Sequence, residues 1–90
     1  MNLPVVVNEK NLFVRTVTYH TLGRLERIEN GFLILSNSSW VADTGRFGKF
    51  ITEGISSDAQ IEYTGKTIFI NMASIVDIYE WEHDLPIKTQ

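Results

Sequence analysis

Asn30-Gly31 is the feature that most limits what this chain can become. A two-residue type I′ turn needs positive φ at both central positions, and Asn-Gly is the pair that accepts it, so the dipeptide between two β-rich runs specifies a hairpin. The run before it, "NLFVRTVTYHTLGRLERIE" (11–29), carries Phe13, Val14, Val17 and Tyr19, with Thr16, Thr18 and Thr21 adding β-propensity. It reads as one long strand, or as two joined at Gly23, where a glycine inside a strand pattern marks a bend, a bulge or a close backbone approach. The run after it, "FLILSNSSWVA", returns as the partner. Its apolar stretch from Phe32 to Leu35 is too short for a helix and starts at a turn.

The period then changes. In "DTGRFGKFITEG" the residues Phe47, Phe50 and Ile51 recur at i, i+3 and i+4, the face of a helical turn. Asp43 or Thr44 is expected to cap that turn and Gly54 to close it, with Gly48 weakening its middle. One short helix near residues 45–53 follows. The last third returns to β. "AQIEY" and "TIFIN" are candidate strands around a tight "TGK" turn, "MAS" reads as one 3₁₀ turn, and "IVDIYEW" as the last strand. In that strand Ile75, Asp77, Tyr79 and Trp81 alternate with Val76, Ile78 and Glu80. Both faces are apolar, so one should meet the core and the other the helix or a partner chain.

Pro4 and Pro86 lie near the two ends and leave the interior free to pair. Ninety residues make a single domain, 1–90, and this many short strands in it predict a small, strongly bent barrel. The expected fold is mainly β, with five or six antiparallel strands and the one helix. The order and length of its elements resemble SH3-like and Sm-like barrels, with an OB-like barrel as the alternative. "INMASIVDI" is loosely similar to the second Sm signature but lacks its basic-glycine pair.

Three segments, "VRTVTYHTLGRL", "SSWVADTGRF" and "ASIVDIYEWEHDLP", together resemble a group of short uncharacterised proteins of phages and bacteria. The shared pattern places R-T-V-T at Arg15 to Thr18, a bend glycine at Gly23, W-[VI]-A-D-T-G-R-F at Trp40 to Phe47, and W-x-H-x-L-P from Trp81 to Pro86. The resemblance implies a stand-alone small protein, phage-encoded and acting in the host cytoplasm.

Composition excludes more than it assigns. No cysteine is present, which removes disulfides, thiolate catalysis and cysteine-based zinc sites. The net charge of −3 argues against a broad phosphate-binding surface. A local basic patch remains open, because Arg15, Arg24, Arg27, Arg46 and Lys49 all fall in the first 49 residues. The N-terminal "MNLPVVVNEKN" has no basic n-region and is not read as a signal peptide, and no segment reaches the roughly 20 apolar residues of a membrane helix. Signatures of hydrolases, phosphate loops and zinc proteases are missing, and His20 and His83 have no second ligand at metal spacing. No catalytic role and no cofactor or metal are expected.

The candidate site is the strand-to-helix corner. Asp43, Thr44, Gly45 and Arg46 sit where unpaired helix amides and a forked guanidinium favour an anion. Capping by Asp43 or Thr44, with Arg46 paired to Asp43, explains the same residues without a ligand. Trp40 is either a stacking platform for a base or a core plug. Phe47 is a second stacking candidate, and Arg15, His20 and Arg24 lie on or beside the first strand. The leading expectation is a non-catalytic module, oligomeric, that sequesters a small anionic ligand of nucleotide type. An Sm-like RNA- or DNA-binding oligomer, disfavoured by the acidic balance, and an inhibitory protein–protein module using the last strand are the alternatives.

Overall fold

The structure, a computed structural model, describes residues 10–90. The valines at 5–7 and the signal-peptide reading lie outside the described residues. The strands are β1 (Asn11–Thr16), β2 (His20–Glu29), β3 (Phe32–Asp43), β4 (Gln60–Tyr63), β5 (Ile68–Asn71) and β6 (Ile75–Glu80). One helix, α1 (Phe47–Glu53), lies between β3 and β4, and a 3₁₀ turn, Met72–Ser74, joins β5 to β6. All pairings are antiparallel, in the order β4-β3-β2-β1-β6, with β5 on β3 as well. This is the mainly β, barrel-like fold expected from the strand pattern.

Asn30 and Gly31 adopt φ of 51° and 81°, the I′ geometry that their side chains permit. The long run before them breaks where the sequence reading did not place a break. Gly23 lies inside β2, and the chain reverses at Val17–Tyr19 instead. The Thr16 hydroxyl closes this turn by accepting from the Tyr19 N–H and donating to the Tyr19 carbonyl oxygen. Gly23 serves close approach: a Cβ there would stand 2.9 Å from Leu35 Cβ and 3.1 Å from the Ser36 carbonyl oxygen.

β3 is the longest strand and carries two partners on one edge. Its first half pairs with β5 and its second half with β4. The "TGK" segment is therefore not a reversing turn. β4 and β5 run the same way along β3, and Thr64 to Lys66 bridge them with backbone bonds to Ser38. At this point β3 bulges: Arg24 pairs with Ser36 but Leu22 with Ser39, and Asn37 takes φ of 50°. The extra residue inverts the inside–outside alternation for the rest of the strand.

Where it lies under α1 the sheet is buried on both faces, while at the β5 end Phe69 on the outer face is 62% exposed. Inside the barrel Leu12, Val14, Leu25, Leu33, Leu35 and Ile70 pack together. On the outside Phe13, Leu22, Val41, Ile61 and Trp81 pack under Phe50 of α1, with Leu85 from the C-terminal segment. Two buried faces explain why Leu12-Phe13-Val14 is a continuous apolar run. They also answer the two-faced last strand. Tyr79 and Trp81 face the helix-side core, while Ile75 and Ile78 meet the interior one. Ile75 leaves its expected face because Thr16 pairs with Ile75 and Arg15 with Asp77, so Val76 bulges outward. The helix, not a partner chain, covers the second face, which removes that argument for oligomerisation.

Candidate functional site

The corner that drew attention in sequence is built differently from the expected cap. α1 begins at Phe47, its N-cap residue is Arg46, and no side chain caps it. Asp43 Oδ1 accepts from the Gly45 N–H at 2.8 Å, and the Thr44 hydroxyl donates to the Gly45 carbonyl oxygen at 2.8 Å. Both side chains thus serve the turn before the helix rather than the helix itself. The cause is Gly45, whose φ of 71° folds the chain back onto Asp43 before the helical dihedrals start. Arg46 is exposed and is not ion-paired to Asp43. Closure at the other end is as expected, with Gly54 at φ 91° donating its N–H to the Phe50 carbonyl oxygen.

Arg15, His20 and Phe47 come together on the outer face, joined by Asp77 and Tyr79. Arg15 stands opposite both His20 and Asp77 in the β1 ladders. Its guanidinium donates to both Asp77 carboxylate oxygens and lies over the rings of Phe47, 4.9 Å from the centroid, and Tyr79, 5.7 Å. Those hydrogen bonds hold the Asp77 carboxyl below its usual range, against the opposing pull of partial burial, and raise Arg15 further above its own. His20 meets the Phe13 ring edge-on at 5.7 Å. The set fastens β1 to β6 and leaves Arg15 with its charge already answered.

Arg24 is elsewhere on β2, exposed, with Nε 3.5 Å from a Glu26 carboxylate oxygen. Arg27 pairs with Glu29 at 2.7 Å and Lys10 with Glu80 at 2.8 Å. Lys10, Arg15, Arg24 and Arg27 are thus each paired with an acid. His83 is occupied as well: Nε2 donates to the Ile51 carbonyl oxygen at 2.9 Å, and the ring meets Trp81 at 4.8 Å. No cluster of three or more His, Cys, Asp or Glu able to hold a metal occurs among the described residues.

Trp40 is not a core plug. The Asn37 bulge turns it to the inner face, opposite Thr21, which itself stands opposite Val14 of the barrel interior. There it lies at the barrel end, beyond the packed interior. Its ring stacks on Tyr19 with centroids 4.6 Å apart and planes at 23°, and the two residues remain 45% and 44% exposed. Val17, 77% exposed, belongs to the same turn as Tyr19. Trp81, by contrast, is the tryptophan of the core, with its indole N–H donating to the Asp84 carbonyl oxygen.

The face that holds Trp40 continues across β4. Glu62 stands directly opposite Trp40, and Ala42, Gln60, Ile61 and Glu62 line an open crevice of about 430 Å³ with Thr89 and Gln90. The C-terminal residues form its rim because Gln90 pairs with Ile61 through two backbone hydrogen bonds, of 2.8 and 2.9 Å. Beneath Trp40's neighbourhood, the Thr21 hydroxyl is buried without a hydrogen-bond partner. In the sequence Tyr19 is one residue of the β-rich first run, and Glu62 lies in the candidate strand "AQIEY". Only the register brings both to Trp40.

No protein-family model matches the chain, and no curated protein or solved structure matches it either.

Proposed function

We propose that the protein is a non-catalytic binding module whose ligand is a planar group of nucleotide type, received on the Tyr19–Trp40 face. One observation carries this reading: two large aromatic rings are stacked on each other and left nearly half open. A chain this small has strong reason to bury them. Tyr19 backs one side of Trp40 and restrains it, so a base can stack at low entropic cost. The crevice beside it offers room for the rest of the ligand. The outer cluster of Arg15, His20 and Phe47 supports the barrel in this reading, and the Asp43–Arg46 turn connects sheet to helix. Binding without chemistry suits sequestration of a signalling nucleotide.

The test is titration of the purified protein with mononucleotides and cyclic nucleotides, followed by tryptophan fluorescence and by equilibrium dialysis. Stacking on an aromatic side chain contributes about 1–3 kcal/mol per base, so Trp40→Ala should weaken binding about 5- to 150-fold. Arg46→Ala, on the helix side, should change it little. Full recovery of every nucleotide outside the dialysis chamber would end this reading.

A second reading rests on the same patch. Val17 in the β1–β2 turn and Val76 at the start of β6 are 77% and 63% exposed, and the two segments meet where the Val17 N–H donates to the Ser74 carbonyl oxygen. Together with Tyr19 and Trp40 they suit a protein partner. The rest of "IVDIYEW" does not, because its other large apolar side chains are at least partly buried in the two cores. Retention of one host protein at stoichiometry, lost in Trp40→Ala, would favour this reading over the nucleotide.

A further inference from the structure

The Tyr19–Trp40 platform has a carboxylate beside it, and that narrows what can bind there. Glu62 is the cross-strand partner of Trp40 in the β3–β4 ladder. Directly opposed residues in an antiparallel pair share a face, with Cβ atoms about 4.5–5.5 Å apart. Glu62 is exposed and takes part in none of the ion pairs among the described residues. Ala42, two residues beyond Trp40, lines the same crevice with a side chain too small to fill it. A flat ring on Trp40 that extends over β4 therefore brings its edge to Glu62.

An ionised carboxylate only accepts hydrogen bonds, and it accepts them best as a pair on its two oxygens. We propose that Glu62 reads the edge of the stacked group and selects a base that offers two adjacent N–H donors. This inference rests on the platform reading above. Among the common bases guanine meets the condition, with its ring N1–H next to its 2-amino group. Adenine and cytosine present an amino group beside an acceptor nitrogen, and uracil presents one N–H between two carbonyl oxygens. Each of these places a lone pair against the carboxylate. The negative charge of Glu62 also directs a phosphate away from β4, so the base rather than the phosphate enters the crevice.

The experiment is a titration of the full chain with GMP, IMP, AMP, CMP and UMP. Binding is followed through the Trp40 indole N–H resonance, which Trp40→Phe identifies against that of Trp81. A bidentate contact of this kind discriminates by about 5- to 150-fold. GMP should therefore bind at least about fivefold tighter than AMP, CMP and UMP. IMP, which keeps N1–H but lacks the 2-amino group, should fall between. Glu62→Gln, at an exposed position, should leave the fold intact and erase the preference while all five nucleotides still shift the Trp40 signal. If the nucleotides shift that signal with no guanine preference, or if the preference survives in Glu62→Gln, the role of Glu62 is overturned and the platform stands. If no nucleotide moves the Trp40 resonance, the platform reading falls and the selectivity with it.

Discussion

Replacing Gly23 with alanine should destabilise the barrel, while the same replacement at Gly48 should stabilise it. Neither glycine needs positive φ, so backbone strain does not separate them. What separates them is space. A Cβ at residue 23 would lie 2.9 Å from Leu35 Cβ, 3.1 Å from the Ser36 carbonyl oxygen and 3.2 Å from Leu35 Cδ1. The first two atoms belong to the backbone or its root and cannot rotate away, so β2 and β3 must separate. Inserting a methyl into a packed site costs about 1–3 kcal/mol. Alanine returns about 0.5–1 kcal/mol by restricting the unfolded chain, and the central values leave a net loss of about 1.2 kcal/mol. For a domain of this size that lowers Tm by roughly 5–10 °C. At Gly48, exposed in α1 with nothing within 4 Å of the added Cβ, alanine should contribute about 0.8–1 kcal/mol of helix propensity and raise Tm. Thermal unfolding followed by circular dichroism, with urea midpoints as a check, measures both. A Gly23→Ala protein as stable as the parent would refute the close-approach explanation, since the entropic gain would then have met no opposition.

Three further outcomes follow from the packing and the ion pair. Phe50 is 1% exposed and meets the rings of Phe13 and Trp81 at 5.1 and 4.8 Å, so Phe50→Ala should cost about 3–5 kcal/mol in urea unfolding and detach the helix from the outer face. Asp77 has a depressed folded pKa, so its contribution is present above its ordinary value near 3.8 and is lost as pH falls through the folded value. Asp77→Asn should therefore be less stable than the parent at pH 7, with the gap closing as the solution is acidified below pH 4; a gap that stays constant from pH 7 to 2 would contradict this. At the hairpin, Gly31 has φ of 81° and open space around its missing Cβ, so Gly31→Ala should cost only the left-handed backbone penalty of about 1–2 kcal/mol, and Gly31→Asn visibly less.

Much of the fold was legible because its signals are local. The Asn30-Gly31 turn, the helical spacing of Phe47, Phe50 and Ile51, and the Asn71-capped 3₁₀ turn each depend on residues within one turn of chain. The two-faced last strand announced a second layer. The features that depart from local expectation share a different character. "TGK" has turn composition, yet the chain continues straight through it, because β3 is long enough to pair with the strands on both sides. The long first strand breaks at Val17–Tyr19, where a threonine hydroxyl makes the turn without the glycine or asparagine that announces most turns.

The candidate site divides along the same line. Asp43, Thr44 and Arg46 drew attention through adjacency, and local bonding to Gly45 accounts for the first two. Arg15, His20 and Phe47 do meet, but around Asp77 and Tyr79, which lie some sixty residues away from Arg15 in the chain. The sequence by itself determined the strand-rich class, the hairpin, the helix and the absence of thiol chemistry, all of which depend on local dihedral preference or on residue inventory. The tertiary structure decided the orientation of Trp40. One extra residue at Asn37 inverts the alternation of β3, which sends Val41 to the helix-side core and Trp40 to the barrel end beside Tyr19 and Glu62. A bulge exists only in relation to the strand it fails to match, so a single strand's own residues do not carry it.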